Sequence, residues 1–365
     1  MAVRAEAPVG GLEVSVYTVP TDAPEADGTL AWDSTTMVLV RAHGGGKTGL
    51  GWTYGHQAIA VLIQDTLAAI VAGRDAMDVP GCWLAMVHAL RNNGRPGLCS
   101  MAIAAVDNAL WDLKARLLDL PLAKLLGMAR DSAPVYGSGG FTSYTPQRLE
   151  AQLGGWATQG ITAVKMKVGS RPDQDTARVR LARQAIGDAQ LYVDANGAYG
   201  RKQALAMAEA FAPWGVTWFE EPVSSDDLEG LRLLRDRGPA GMAIAAGEYG
   251  YDQYYFRRML AAGAVDVLQA DASRCAGISG FMQAGALCQS YNIPLSAHTA
   301  PYLHLHPVCA LAAIRPIEYF HDHVRIEQLF FDGALPPGHG RLRPDTGRPG
   351  LGLELRQADA DRYRI

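Results

Sequence analysis

The chain has few cysteines, and nothing pairs them. Cys82, Cys99, Cys275, Cys288 and Cys309 are odd in number and scattered, and no CxxC pair occurs. They read as reduced, mostly buried thiols of a cytoplasmic protein. An excess of one charge is also missing. With 33 Lys and Arg against 37 Asp and Glu, the net charge is −4. That gives no general attraction for nucleic acid or an anionic membrane, so an anionic substrate must be held by local groups. No uninterrupted apolar stretch is long enough to span a bilayer, and MAVRAEAPVGG lacks the apolar core of a signal peptide. The expectation is a soluble, cytoplasmic protein. A phosphate loop is lacking as well. Gly46-Lys47-Thr48 matches the end of that motif, but Arg41 stands where its opening glycine is required. Glycines 44–46 therefore read as a turn.

At 365 residues, 48% hydrophobic and 19% charged, the chain suits two ordered domains better than one. Leu12–Tyr17 and Thr36–Arg41 alternate, and Thr48–Trp52 follows the glycine turn, which predicts an antiparallel hairpin or meander. The spacing predicts helices over Gln57–Ala72 and Met101–Leu126, the second interrupted at Pro121 and stopped at Gly127. Residues 1–130 thus read as an α+β domain.

From Val135 onward one event repeats about every 20 to 30 residues: a short apolar run ends in a polar residue and a helical segment follows. The strands are expected at Val135–Gly137, Ala163–Val168, Leu191–Asp194, Trp218–Glu220, Ala243–Ala246, Asp266–Leu268, Pro294–Ser296 and near Ile317. Helices fill the gaps, as at Asp173–Ile186 and Lys202–Trp214. This is an α/β pattern that closes into a (β/α)₈ barrel over 131–324, with reactive groups at the C-terminal strand ends. The Pro- and Gly-rich tail, 325–365, is expected to pack back on the first domain.

Asp194, Glu220 and Glu248 end three consecutive strands. Three unpaired carboxylates at one point repel one another, and a hard dication resolves this; all-oxygen ligation favours Mg²⁺, with Mn²⁺ also suited. In Trp218-Phe-Glu-Glu-Pro222, strand alternation puts Trp218 and Glu220 on one face, so Glu220 is chosen over Glu221. Asn196, two beyond Asp194, is placed to orient substrate or metal-bound water. The plain alternative is that each acid caps a helix or pairs with an arginine, which three successive strand ends make hard to sustain.

Lys165 and Lys167 share one strand face. Inward lysines in a barrel are costly unless functional, and mutual repulsion is expected to lower one toward a base competent near neutral pH. Asp271 and His298 end two adjacent later strands, where an Asp would fix the imidazole tautomer. His304 and His306 begin a helix and are assigned no direct role. Glu318, on the last strand, would hydrogen-bond a substrate carboxylate if protonated. Together these groups suit removal of a proton α to a carboxylate, with the resulting enediolate stabilised by metal, ammoniums and a neutral acid.

This set, in this order, resembles the enolase superfamily and its mandelate racemase-like subgroup. Lys165-Met-Lys167 fits the K-x-K element; Asp194, Glu220 and Glu248 fit the metal triad; Asp271 with His298 fits the dyad, and Glu318 the late acid. Trp111–Ala115 through Leu125–Gly127 looks like the helix that closes the family's capping domain. The resemblance implies a Lys or His base with Mg²⁺, and most often dehydration of an acid sugar to a 2-keto-3-deoxy acid. In that reading Lys167 or His298 removes the proton, His298 returns one to the departing β-hydroxyl, and Lys165 tunes Lys167. A racemase or epimerase using both bases is the second reading, and a non-catalytic carboxylate binder a remote third. Expected partners are a small carboxylate and further copies of the chain. The segment Thr21–Trp32, polar and punctuated by Gly and Pro, is the expected specificity loop, with Asp27 and Trp32 contacting substrate.

Overall fold

The computed structural model describes residues 7–365. Three antiparallel strands open the fold: β1 (Val9–Ala26), β2 (Ala31–Gly44) and β3 (Lys47–Tyr54). Gly45 and Gly46, both at positive φ, make the two-residue turn between β2 and β3. The long helix Leu98–Leu117 crosses this sheet at very short range. A side chain at Gly49 or Gly51 would strike the helix backbone at Ala109 and Leu113, so only glycine lets the two surfaces meet. The expected helix over 57–72 forms as Ala58–Leu62 and Ala68–Val71 joined through a π turn, Ile63–Leu67. The helix Val79–Ala89 was not foreseen: its Pro80-Gly81 reads as a breaker, yet Pro suits a first turn and the Asp78 side chain caps it by accepting from Gly81 N–H.

Eight parallel strands follow, β4 (Ala133–Gly139), β5 (Ala163–Lys167), β6 (Gln190–Asp194), β7 (Val216–Glu220), β8 (Ala243–Ala246), β9 (Val267–Ala270), β10 (Leu295–Ala297) and β11 (Ile317–Phe320). Their spatial order is β10-β9-β8-β7-β6-β5-β4-β11, and a bridge from Leu295 to Ile314 draws the two ends together. A helix follows each strand, as a (β/α)₈ barrel requires. β10 starts one residue later than expected, because Pro294 lacks the N–H a strand interior needs, and β9 spans Val267–Ala270 where Asp266–Leu268 was expected. Tyr136, Tyr192, Trp218 and Val267 fill the barrel below the mouth, with Tyr192 and Trp218 stacked at 5.0 Å.

The tail runs over both parts. Arg341–Leu342 pairs with the start of β4, Leu351 N–H bonds the buried Asp112 of helix Leu98–Leu117, and Ile365 N–H bonds Val16 in β1. The cap is also keyed to the barrel: Asp107 and Asn108 accept the first N–H groups of helix Gly277–Ser290. No helix among the described residues is long and apolar enough to cross a membrane.

Candidate active site at the barrel mouth

Strand register brings the charged residues together. Lys167 of β5 pairs laterally with Asp194 of β6, and Asp194 with Glu220 of β7, so the three form a row at the C-terminal strand ends. Glu248 follows β8 by two residues, Asp271 follows β9 directly and His298 follows β10 directly. All are buried.

Ligand atoms from Asp194, Glu220 and Glu248 lie within 4.8 Å of one another. Glu220 Oε2 accepts from Trp218 Nε1 at 3.0 Å, which confirms that both point inward. Burial, with Asp194 beside it, pushes the Glu220 carboxyl up to about 8. Glu248 Oε2 is buried and has no hydrogen-bond partner; His298 Nε2 is 3.1 Å away without the alignment of a hydrogen bond. Three close, buried carboxylates, one of them with an unpartnered oxygen at Glu248 Oε2, fit a hard divalent cation. Glu221 is turned aside by a positive φ of 37° and lines the neighbouring cavity instead.

The lysines bind this acidic set. Lys165 Nζ lies 2.5 Å from Glu220, 2.8 Å from Glu318 and 3.4 Å from Asp194; Lys167 Nζ is 2.5 Å from Asp194 and 3.1 Å from Asn196 Oδ1. Burial alone would lower both ammoniums, but the carboxylates outweigh it and hold them above the usual lysine range. Among the protein's own groups, mutual repulsion is thus the smaller effect, contrary to expectation. Glu318 departs too. It accepts from Ser138 Oγ at 2.6 Å and Thr299 N at 2.9 Å, and Lys165 opposes the effect of burial and brings its pKa to about 2. Lys165, Ser138 and Thr299 hold Glu318 toward its ionised, accepting form, the opposite of the protonated donor its expected role requires.

His298 Nδ1 is 2.9 Å from Asp271 Oδ2. Burial works against an imidazolium there, but Glu248 and Asp271 raise its pKa to about 9. His304 and His306 serve the backbone: His304 Nε2 accepts from Ala272 N–H and His306 Nδ1 from Ala123 N–H. Arg274 escaped the sequence reading. Its guanidinium lies 3.5 Å from Glu248 and 3.6 Å from Asp271, joining the carboxylate set to the dyad. Its place three residues after Asp271, on the turn above β9, was the available signal.

Lys167, Asn196, Glu248, His298 and Glu318 share one cavity of about 440 Å³. The expected loop closes it, in a different form. Strand β1 continues to Ala26 and β2 resumes at Ala31, so the cover is a β-ribbon with an irregularity between Pro20 and Glu25. Asp27 Oδ1 accepts from Thr29 N and Leu30 N, forming the tip, while Trp32 packs edge-on against Phe141. Both still line the cavity. Gly28 rests against the carbonyls of Val168 and Ala195, leaving no room for a side chain.

The chain's similarities agree with this geometry. Residues 12–127 match the mandelate racemase/muconate lactonizing enzyme N-terminal domain, and residues 148–360 the enolase C-terminal domain-like family. A 3,6-anhydro-alpha-L-galactonate cycloisomerase of Streptomyces coelicolor is 34% identical, over 90% of this chain and 95% of that protein. The crystal structure of a mandelate racemase/muconate lactonizing enzyme-like protein from Rubrobacter xylanophilus superposes with a TM-score of 0.96 at 57% identity, covering 98% of this chain and all (100%) of that one. An L-talarate dehydratase from Polaromonas sp. JS666, crystallised with Mg and L-glucarate, gives a TM-score of 0.88 at 30% identity, covering 99% and 98% of the two chains. This chain belongs to the mandelate racemase-like subgroup of the enolase superfamily.

Proposed function

We propose that the protein is a Mg²⁺-dependent acid-sugar dehydratase that forms a 2-keto-3-deoxy acid. The observation that carries this reading is one cavity lined by Lys167, by His298 of the His298–Asp271 pair and by Glu248, whose carboxylate clusters with the buried Asp194 and Glu220. Asp194, Glu220 and Glu248 would hold the dication. When bound, it supplies the positive charge that makes the proton α to a carboxylate removable.

The chain's residues supply the rest. β5 and β10 are separated by β4 and β11, so Lys167 and His298 approach the cavity from different sides. Lys167 Nζ or His298 Nε2, in its neutral form, takes the α-proton, and the C–H electron pair moves toward the carboxylate. His298, held through Nδ1 by Asp271, gives a proton to the departing β-hydroxyl, and the enol so formed tautomerises to the ketone. Lys165 sits below, its charge balancing Glu220 and Glu318. Asn196 accepts from Lys167 and holds its ammonium toward the cavity. The hairpin tip excludes water.

Two proton-transfer groups on separate strands also suit racemisation or epimerisation, using the same residues. Incubating the protein with Mg²⁺ and an acid-sugar library separates these readings. Formation of 2-keto acid supports dehydration, whereas a changed configuration without loss of water supports the second reading. No change in any acid sugar contradicts both.

A further inference from the structure

The carboxylate and α-carbon of the substrate belong at the metal end of the cavity; the far wall has its own chemistry. That wall is built by the β1–β2 hairpin, the end of β3 and the start of the helix after β11. Ser34, Thr35 and Thr36 line it with hydroxyls bonded to Asp33, Asp322 and Thr18, beside the aromatic side chains of Trp32, Tyr54 and Phe320.

Cations are absent from it. Among the described residues, the lining's lysine and arginine are Lys167 and Arg274, both engaged with carboxylates at the metal end. Arg148 and Arg325 come near only from behind the wall, paired to Asp22 at 3.0 Å and Asp322 at 2.6 Å, and neither lines the cavity. His323 stacks flat on Tyr54 at 3.5 Å, and burial lowers its pKa to about 3, so it is a neutral ring. His56, at the exposed rim, accepts from Ala58 N–H through Nδ1 and offers one N–H, which suits a hydroxyl. The wall carries acidic groups instead: Asp27 lines it, and Asp322 lies directly behind Thr35.

A second carboxylate at the far end of a straight-chain substrate would therefore lose water without gaining a cation, with Asp27 close by. We propose that the site takes monocarboxylate sugar acids, the aldonates, and discriminates against the dicarboxylate aldarates. This rests on the acid-sugar reading above. It separates the chain from the L-talarate dehydratase relative, whose structure holds the dicarboxylate L-glucarate.

The test compares matched pairs, gluconate with glucarate and galactonate with galactarate, on the Mg²⁺-loaded protein. Both kcat/KM for 2-keto acid formation and Kd by calorimetry are measured. The better aldonate is expected to exceed its aldarate by about tenfold or more in both, the scale set by one unpaired polar group. Ser34→Arg and His56→Arg, both at exposed positions, each supply the missing cation and should narrow that ratio severalfold. An aldarate bound and turned over as well as its aldonate overturns the inference and leaves dehydration standing. Tighter aldonate binding with no 2-keto acid from either class supports the inference and overturns the dehydratase reading.

Discussion

Glu220 and Glu221 are neighbours of the same chemistry and near-equal burial, yet the backbone sends them to different cavities. Glu220 faces inward with Trp218 and joins Asp194 and Glu248; Glu221, at positive φ, faces a second cavity beside Tyr249 and Tyr255. Glu220→Gln removes a ligand charge. It should cost more Mg²⁺ affinity than the roughly 10–100-fold typical of losing an outer-sphere partner, and Glu221→Gln less than that. Calorimetric Mg²⁺ titration checks it; the reverse order would mean the acids are misassigned. Glu220 was legible because a strand alternates every two residues, and Trp218 marked the inward face. The charge states were not. Whether Glu318 is neutral depends on Lys165, which is 153 positions away in sequence (318 − 165) and 2.8 Å away in space. Spacing along one strand carries no information about such partners.

At the scale of elements, the barrel strands were legible because most of the short apolar runs stop at a polar or charged residue and a helical segment follows. The cover was not. Pro20 and Pro24 argue against a strand through Thr21–Trp32, but a two-stranded ribbon tolerates proline where pairing is already irregular, between Pro20 and Glu25. A ribbon is stiffer than a loop, and its tip is fixed by the three bonds Asp27 accepts and by Thr142 N–H bonding Ala26 O. Trp32 is then a wall of the cavity with a fixed orientation, held by Phe141 and by its Nε1 bond to Glu25. We expect Trp32→Ala to raise KM about tenfold, the low end for a lost pocket contact, with Mg²⁺ affinity within twofold. Steady-state kinetics beside the Mg²⁺ titration measures both. An unchanged KM would leave the ribbon no part in reading the substrate.

At the scale of the whole molecule, cap, barrel and tail are joined by buried polar groups, among them Asp107, Asp112 and His306. His306, between the barrel and the segment at Ala123, accepts a backbone N–H, and burial lowers its pKa to about 4. A histidine lowered on folding stabilises above its unfolded value, near 6.5, and that contribution is lost as pH falls below it, levelling near 4. Buried acids such as Glu25 and Glu220, raised to about 8, slope the opposite way between about 4.5 and 8, so His306 is best isolated by difference. His306→Asn keeps an acceptor for Ala123 but cannot take a proton. The stability gap between wild type and variant should narrow by about 1.4 kcal/mol per pH unit from pH 6.5 toward 4, read by urea unfolding. A constant gap would mean that folding does not lower the pKa of His306. The central claim, proton transfer α to a carboxylate by two distinct groups, is tested most directly by exchange in D₂O followed by NMR on the Mg²⁺-loaded protein. Lys167→Ala should retain exchange of the α-proton presented to His298, His298→Asn the converse, and the double variant neither. Exchange that survives in the double variant would contradict the account.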